Sequence, residues 1–266
     1  MSFVGAALGP PARWLRRSRR ARWVLAGTIT LGVMGGLAVV SSKRPPPPLP
    51  DGSGPGTPQE KKAAFIDYLV PYVRGVNAAI LADRRRLLSI RQDVARGGSP
   101  GMFDARWLKK IVADYEMELP AEIDPAFLDH LLLRVDIVPA SLVLAQAAEE
   151  SGWGSSRFAQ HGNNLFGMRA YNGTGFVPRE REAGEKFRVA IYPSVRESIA
   201  DYVSNLNTGE NYIELRAERR ALRQRGQALT GQALAARLGG YSRRGAEYVE
   251  TILAIIRGNR LGRFDS

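Results

Sequence analysis

The chain has 266 residues, with 38 Lys and Arg against 26 Asp and Glu, a net charge of +12, two histidines and no cysteine. Without thiols it has no disulfides, cysteine catalysis or cysteine-held metal, and His130 and His161 stand too far apart in sequence to form a metal motif. Residues 1–44 hold eight basic and no acidic side chains, leaving +4 for the rest. The high charge therefore speaks for membrane targeting and not for a nucleic-acid surface.

In chain order, residues 1–22 carry Arg13, Arg16, Arg17, Arg19, Arg20 and Arg22, and Trp23–Val40 is an uncharged run of 18 residues. At ~1.5 Å per residue that run spans about 27 Å, enough for a bilayer core with little margin. Lys43 and Arg44 follow, and the six-to-two bias predicts a cytoplasmic N-terminus. A retained single-span anchor over 23–40 is expected. A cleaved signal peptide is the alternative, disfavoured because no small-x-small site stands out near Val39–Ser42. Residues 41–58 read as a linker: Pro45–Pro48 favours an extended chain and Gly52–Gly56 a flexible one. Fully extended, residues 45–58 reach about 40 Å.

Residues 59–119 read as a helical extension without chemistry of its own. Gln59–Ala95 has Ile66, Leu69, Val70, Val73, Val76 and Ile80 at helical spacing, with Pro71 expected to kink or divide it. Gly97–Gly101 reads as a loop, and Asp104–Met117 as a second helix.

The segment Val138–Ala148 has no charged residue, and Pro139 and Gly152 suit the first turn and the end of one helix. Glu149 and Glu150 then fall in its last turn, ~100° apart around the axis. Gln146 shares the face of Glu150 at i, i+4. Burial and the helix dipole both raise the pKa of Glu150, as a general acid acting on a sugar bond requires. Past the helix, Trp153 either stacks on a sugar face or packs behind the acid. Asn163 and Asn164 either hydrogen-bond N-acetyl and hydroxyl groups or simply turn the chain. Phe166 is core or cleft wall.

Gly175–Ile191 reads as a β-hairpin turning at Ala183–Gly184, with Phe187, Val189 and Ile191 alternating. It offers Glu180, Glu182 and Glu185; Glu182, near the tip, is the expected second catalytic carboxylate. All three are otherwise solvated charges, and an N-acetyl sugar can supply its own nucleophile. Ser194–Leu206 is a helix burying Val195, Ile199, Tyr202, Val203 and Leu206. Tyr212–Arg225 is a charged helix whose arginines read as a solvated face. Leu229–Leu238 is short and stopped by Gly239–Gly240, and Tyr248–Ile256 closes the pattern.

The string AQAAEESGWGSSRFAQHGNNLFGMR closely resembles the peptidoglycan glucosaminidases of glycoside hydrolase family 73, in their Bax-like branch. The resemblance continues through Phe176–Pro178, Phe187–Val189, Tyr192–Ser198 and Tyr202–Thr208 to Tyr248–Glu250, covering roughly residues 120–260. It implies a mainly α, lysozyme-like α+β domain over 120–266 with a small β-hairpin lobe; the membrane helix read from the charge pattern precedes it. It implies hydrolysis of the β-1,4 bond between N-acetylglucosamine and N-acetylmuramic acid, with Glu150 as general acid and no cofactor or metal. Gln146, Trp153, Asn163, Asn164, Phe166 and Tyr241 are the residues expected to bind substrate, Tyr241 matching a cleft tyrosine of the family. The expected partners are peptidoglycan glycan strands and, through the anchor, the bacterial inner membrane, with the catalytic domain in the periplasm. A muramidase or lytic transglycosylase on the same scaffold, and a non-catalytic wall-binding protein, are the alternatives.

Overall fold

The structure is a computed structural model describing residues 47–170, 175–178 and 187–265. The basic segment and expected anchor, residues 1–40, lie outside these, as do Glu180, Glu182 and Glu185. Among the described residues no helix is long and apolar enough to cross a membrane.

The described chain is mainly helical. Helix α1 (Pro58–Ala95) begins with a capping box, in which Thr57 Oγ1 accepts from the Glu60 amide and the Glu60 carboxylate accepts from the Thr57 amide. It runs unbroken past Pro71, which therefore does not divide it. Pro71 and Asp67, one turn earlier, are exposed, so the missing hydrogen bond opens toward water. Buried Leu69, Val70 and Val73 hold both halves against the same core. Helix α2 (Met102–Asp114) and helix α3 (Pro125–Arg134) follow, the latter capped by Asp124, whose carboxylate accepts from the Phe127 amide. Then come α4 (Ala140–Ser151), α5 (Arg157–Gly162), β1 (Arg169–Ala170) and β2 (Arg188–Val189). Helices α6 (Val195–Thr208), α7 (Ile213–Gln224), α8 (Gly231–Ala235) and α9 (Ala246–Gly258) lead to a last 3-10 turn, Leu261–Phe264.

The sheet is one antiparallel pair, Arg169 opposite Val189 and Ala170 opposite Arg188. Phe176 bridges to Val189 through two backbone hydrogen bonds of 2.9 and 2.8 Å. The expected alternation along 187–191 holds only in part, since Val189 is buried and Ile191 is half exposed.

Two apolar clusters form. The larger gathers α1, α4, α6, α8 and α9; the smaller joins Leu87 and Ile90 of α1 to α2 and to Leu128, Leu131 and Leu132 of α3. Helix α4 is the central rod, buried along almost its whole length. Its N-cap, Pro139, supplies no side-chain bond. Asp265 does so from 124 residues away, accepting from the Ser141 amide at 2.8 Å and the Ser141 hydroxyl at 2.7 Å. The same carboxylate accepts from the Gly231 amide at the start of α8, at 3.0 Å. One anion thus meets two helix N-termini, where partial positive charge collects.

The linker is not wholly free. Leu49 is buried, Tyr68 donates to the Pro47 carbonyl, and Gln160 donates to that of Leu49. Residues 47–50 therefore lie along the domain.

Candidate active site

Helix α4 carries Glu150 to its last turn and ends at Gly152, which adopts the left-handed conformation (φ +58°) that a glycine accepts without steric cost. Trp153 and Gly154 also have positive φ. Gly154 is irreplaceable on two counts: φ is +83°, and an added Cβ would lie 2.3 Å from the Pro50 carbonyl. The loop after the acid is thus clamped between α1 and residues 47–50. Trp153 meets the Phe65 ring edge-on at 5.9 Å, with Lys62 Nζ 4.9 Å from its ring centroid. Its contacts to the described residues are those of a packing residue behind the acid.

Glu150 is partly buried, and Tyr248 of α9 donates to its Oε1 at 2.7 Å. Burial pushes its pKa up to about 7, opposed by the Tyr248 hydrogen bond, reinforced by the Glu149 charge and offset in part by Arg244. Oε2 has no hydrogen-bond partner among the described residues. A proton held there can leave toward a ligand.

Behind Glu150 runs a buried relay. Tyr202 donates to Gln146 Oε1, Gln146 Nε2 donates to the Tyr248 hydroxyl at 2.9 Å, and Tyr248 donates to Glu150. Every donor in this chain has one acceptor, so the proton of Tyr248 is directed at Oε1. Gln146 is fully buried with both ends of its amide engaged. It aligns the acid and does not reach sugar, which corrects the sequence expectation. Phe166 is corrected likewise: it is 1% exposed and stacks on Tyr202 at 3.9 Å, supporting the first hydroxyl of the relay.

Asn164 is also consumed internally. Its amide donates to the carbonyls of Met168 and Ala190 and accepts from the amides of Phe166 and Met168. It ties the loop after α5 to the strand region and is not free for a sugar. Asn163 ends α5 in the left-handed conformation and donates to the Tyr192 carbonyl at 2.9 Å. Tyr241 stacks on Tyr248 at 5.3 Å, and its hydroxyl has no hydrogen-bond partner among the described residues. Burial and the nearby Glu150 charge keep its proton on, so it is a donor available to a ligand.

Glu149 takes a different role from its neighbour. Arg244 pairs with it at 2.6 Å and lies 5.3 Å from the Tyr248 ring centroid. Tyr202, Tyr248 and Arg244 were not foreseen as site residues. The two tyrosines occupy apolar stripe positions, where a hydroxyl is the only signal of a second duty.

The glucosaminidase family profile, described as mannosyl-glycoprotein endo-beta-N-acetylglucosaminidase, matches residues 130–261. Protein bax of Escherichia coli K12 is 36% identical over 206 residues, 77% of this chain and 71% of that protein. Peptidoglycan hydrolase FlgJ of Escherichia coli K12 is 33% identical over 123 residues, covering 39% of each chain. Among solved structures, the catalytic domain of the autolysin Auto from Listeria monocytogenes is 24% identical, with a TM-score of 0.38, covering 63% of this chain and 90% of that one. The chain belongs to the glucosaminidase family and is a glycoside hydrolase.

Proposed function

We propose that the chain hydrolyses peptidoglycan, cutting the β-1,4 bond between N-acetylglucosamine and N-acetylmuramic acid, with Glu150 as general acid. The observation that carries this reading is the state of Glu150: partly buried, with a pKa near 7 and one oxygen fixed by Tyr248. The other oxygen is free to deliver a proton to the departing sugar oxygen. FlgJ, a peptidoglycan hydrolase by name, shares the matching region and supports the choice of substrate.

Tyr241 is assigned to the substrate side, where its unengaged hydroxyl donates to a sugar oxygen or acetamido carbonyl. Glu149 is not the second catalytic carboxylate, because Arg244 holds it in an ion pair. That role is assigned to Glu182, or to the acetamido group of the substrate acting as nucleophile. The uncharged run 23–40 with its flanking arginines anchors the enzyme in the inner membrane, the hydrolase domain facing the wall.

Mass spectrometry of sugars released from purified wall sacculi tests the bond assignment. Fragments ending in reducing N-acetylglucosamine are expected. Reducing N-acetylmuramic acid would make the enzyme a muramidase, and an anhydro sugar a transglycosylase.

A further inference from the structure

A second site lies at the other end of α4. Asp136 and Leu133 precede that helix, whereas Glu150 ends it, roughly 18 Å away at 1.5 Å per residue. Here α1, α3 and α7 enclose a cavity of about 330 Å³ lined by six arginines and only two carboxylates, Asp129 and Asp136. The expectation that the α7 arginines form a solvated face fails at this cavity, because Arg216 and Arg219 are buried.

The two carboxylates are already committed. Asp129 takes a two-pronged contact from Arg91 at 3.0 and 2.9 Å. Asp136 takes another from Arg223 at 2.6 Å on both prongs, with Arg84 and Arg219 at 3.4 and 3.7 Å sharing its charge. Arg219 is further satisfied by Asn207 and by the carbonyls of Leu133, Asp136 and Ile137.

Arg216 and Arg220, one turn apart on the same face of α7, have no carboxylate partner among the described residues. Arg216 is only 6% exposed, yet one guanidinium nitrogen alone is engaged, by the carbonyls of Leu206 and Gly209. Its other nitrogens have no acceptor and are not sealed from solvent. Arg220 is exposed and makes no hydrogen bond or ion pair among the described residues. The two carbonyls belong to the C-terminal turn of α6 and meet part of that charge, while burial lowers the Arg216 pKa to about 10. An anion entering the cavity would pair with the nitrogens left over.

We propose that this cavity binds a phosphate group, held chiefly by Arg216 and Arg220. Planar carboxylates match one guanidinium fork. A tetrahedral phosphate presents oxygens in several directions and suits two guanidinium groups on one face of α7, with the lining carrying four more positive than negative charges. The site lies far from Glu150 and is independent of the hydrolytic reading.

The test is isothermal titration of the full chain, in non-ionic detergent at constant ionic strength, with inorganic phosphate and with glycerophosphoglycerol, a lipid headgroup without its tails. Saturable heat absent from a chloride titration is expected, with affinity falling at least tenfold in Arg216→Gln and in Arg220→Glu. Tighter binding of the diester identifies a headgroup-type source; tighter binding of inorganic phosphate identifies the free ion. Arg220 is exposed and has no bonded partner among the described residues, so Arg220→Glu folds and decides the matter even if Arg216→Gln does not. Heats equal to those of chloride, or undiminished binding by Arg220→Glu, overturn the proposal.

Discussion

Replacing Tyr248 with Phe removes one hydroxyl and makes a signed demand on Glu150, the proposed general acid. The 2.7 Å bond from Tyr248 favours ionised Glu150. Hydrogen bonds to charged groups contribute ~1.5–3 kcal/mol, and 1.36 kcal/mol is one pKa unit. Losing it should move Glu150 from about 7 to roughly 8–9, by those magnitudes. Because the acid works protonated, the alkaline limb of kcat/KM against pH moves upward by the same one to two units. Gln146 Nε2 loses its acceptor in a fully buried place, which costs ~1–3 kcal/mol. That is within the stability of an ordinary domain. The assay is clearance of a sacculus suspension from about pH 5 to about pH 10, bracketing the expected limb. A limb that stays in place, or moves to lower pH, refutes the account of how Glu150 is tuned.

Glu149→Gln should do the reverse, lowering the alkaline limb by less than about one unit, because the charge that raises Glu150 disappears and Arg244 is released. Glu150→Gln should show the stability linkage. The folded pKa lies above the unfolded one, so the stabilisation present below about pH 4.5 is lost as pH rises through about 7. At about pH 8.5 the variant should then be roughly 3 kcal/mol more stable than the parent, and near parity at about pH 4, as chemical denaturation reads it. Asp265→Ala removes the anion shared by α4 and α8 and should cost about 2 kcal/mol, a melting-point fall of roughly 4–8 °C by circular dichroism. Gly154→Ala forces a Cβ onto the Pro50 carbonyl; limited proteolysis should then cut beside Leu49, which the parent buries.

Helix α4 was legible because its signals are local. An uncharged run, a closing glycine and a carboxylate in the last turn suffice to place Glu150 in a half-sheltered position. The apolar face of α6 was equally plain, and all five of its expected core residues are buried. What escaped is long-range. Asp265 caps a helix 124 residues earlier in the chain, and nothing near Pro139 announces it. Gln146 and Asn164 were read as ligands for sugar because an amide's partners are invisible in sequence, yet both are saturated within the protein. Arg216 and Arg219 looked solvated because arginine usually is; only the packing of α7 against α3 and the segment before α4 draws them inside.

The central claim is that Glu150 delivers the proton to the leaving sugar oxygen. It is tested most directly by comparing hydrolysis of purified sacculi by the parent chain and by Glu150→Gln at about pH 6, below the acid's folded pKa of about 7. A positioned general acid contributes typically ~10²–10⁴-fold, so the variant should lose at least that much turnover while melting no lower than the parent. Turnover within a few-fold of the parent would contradict it.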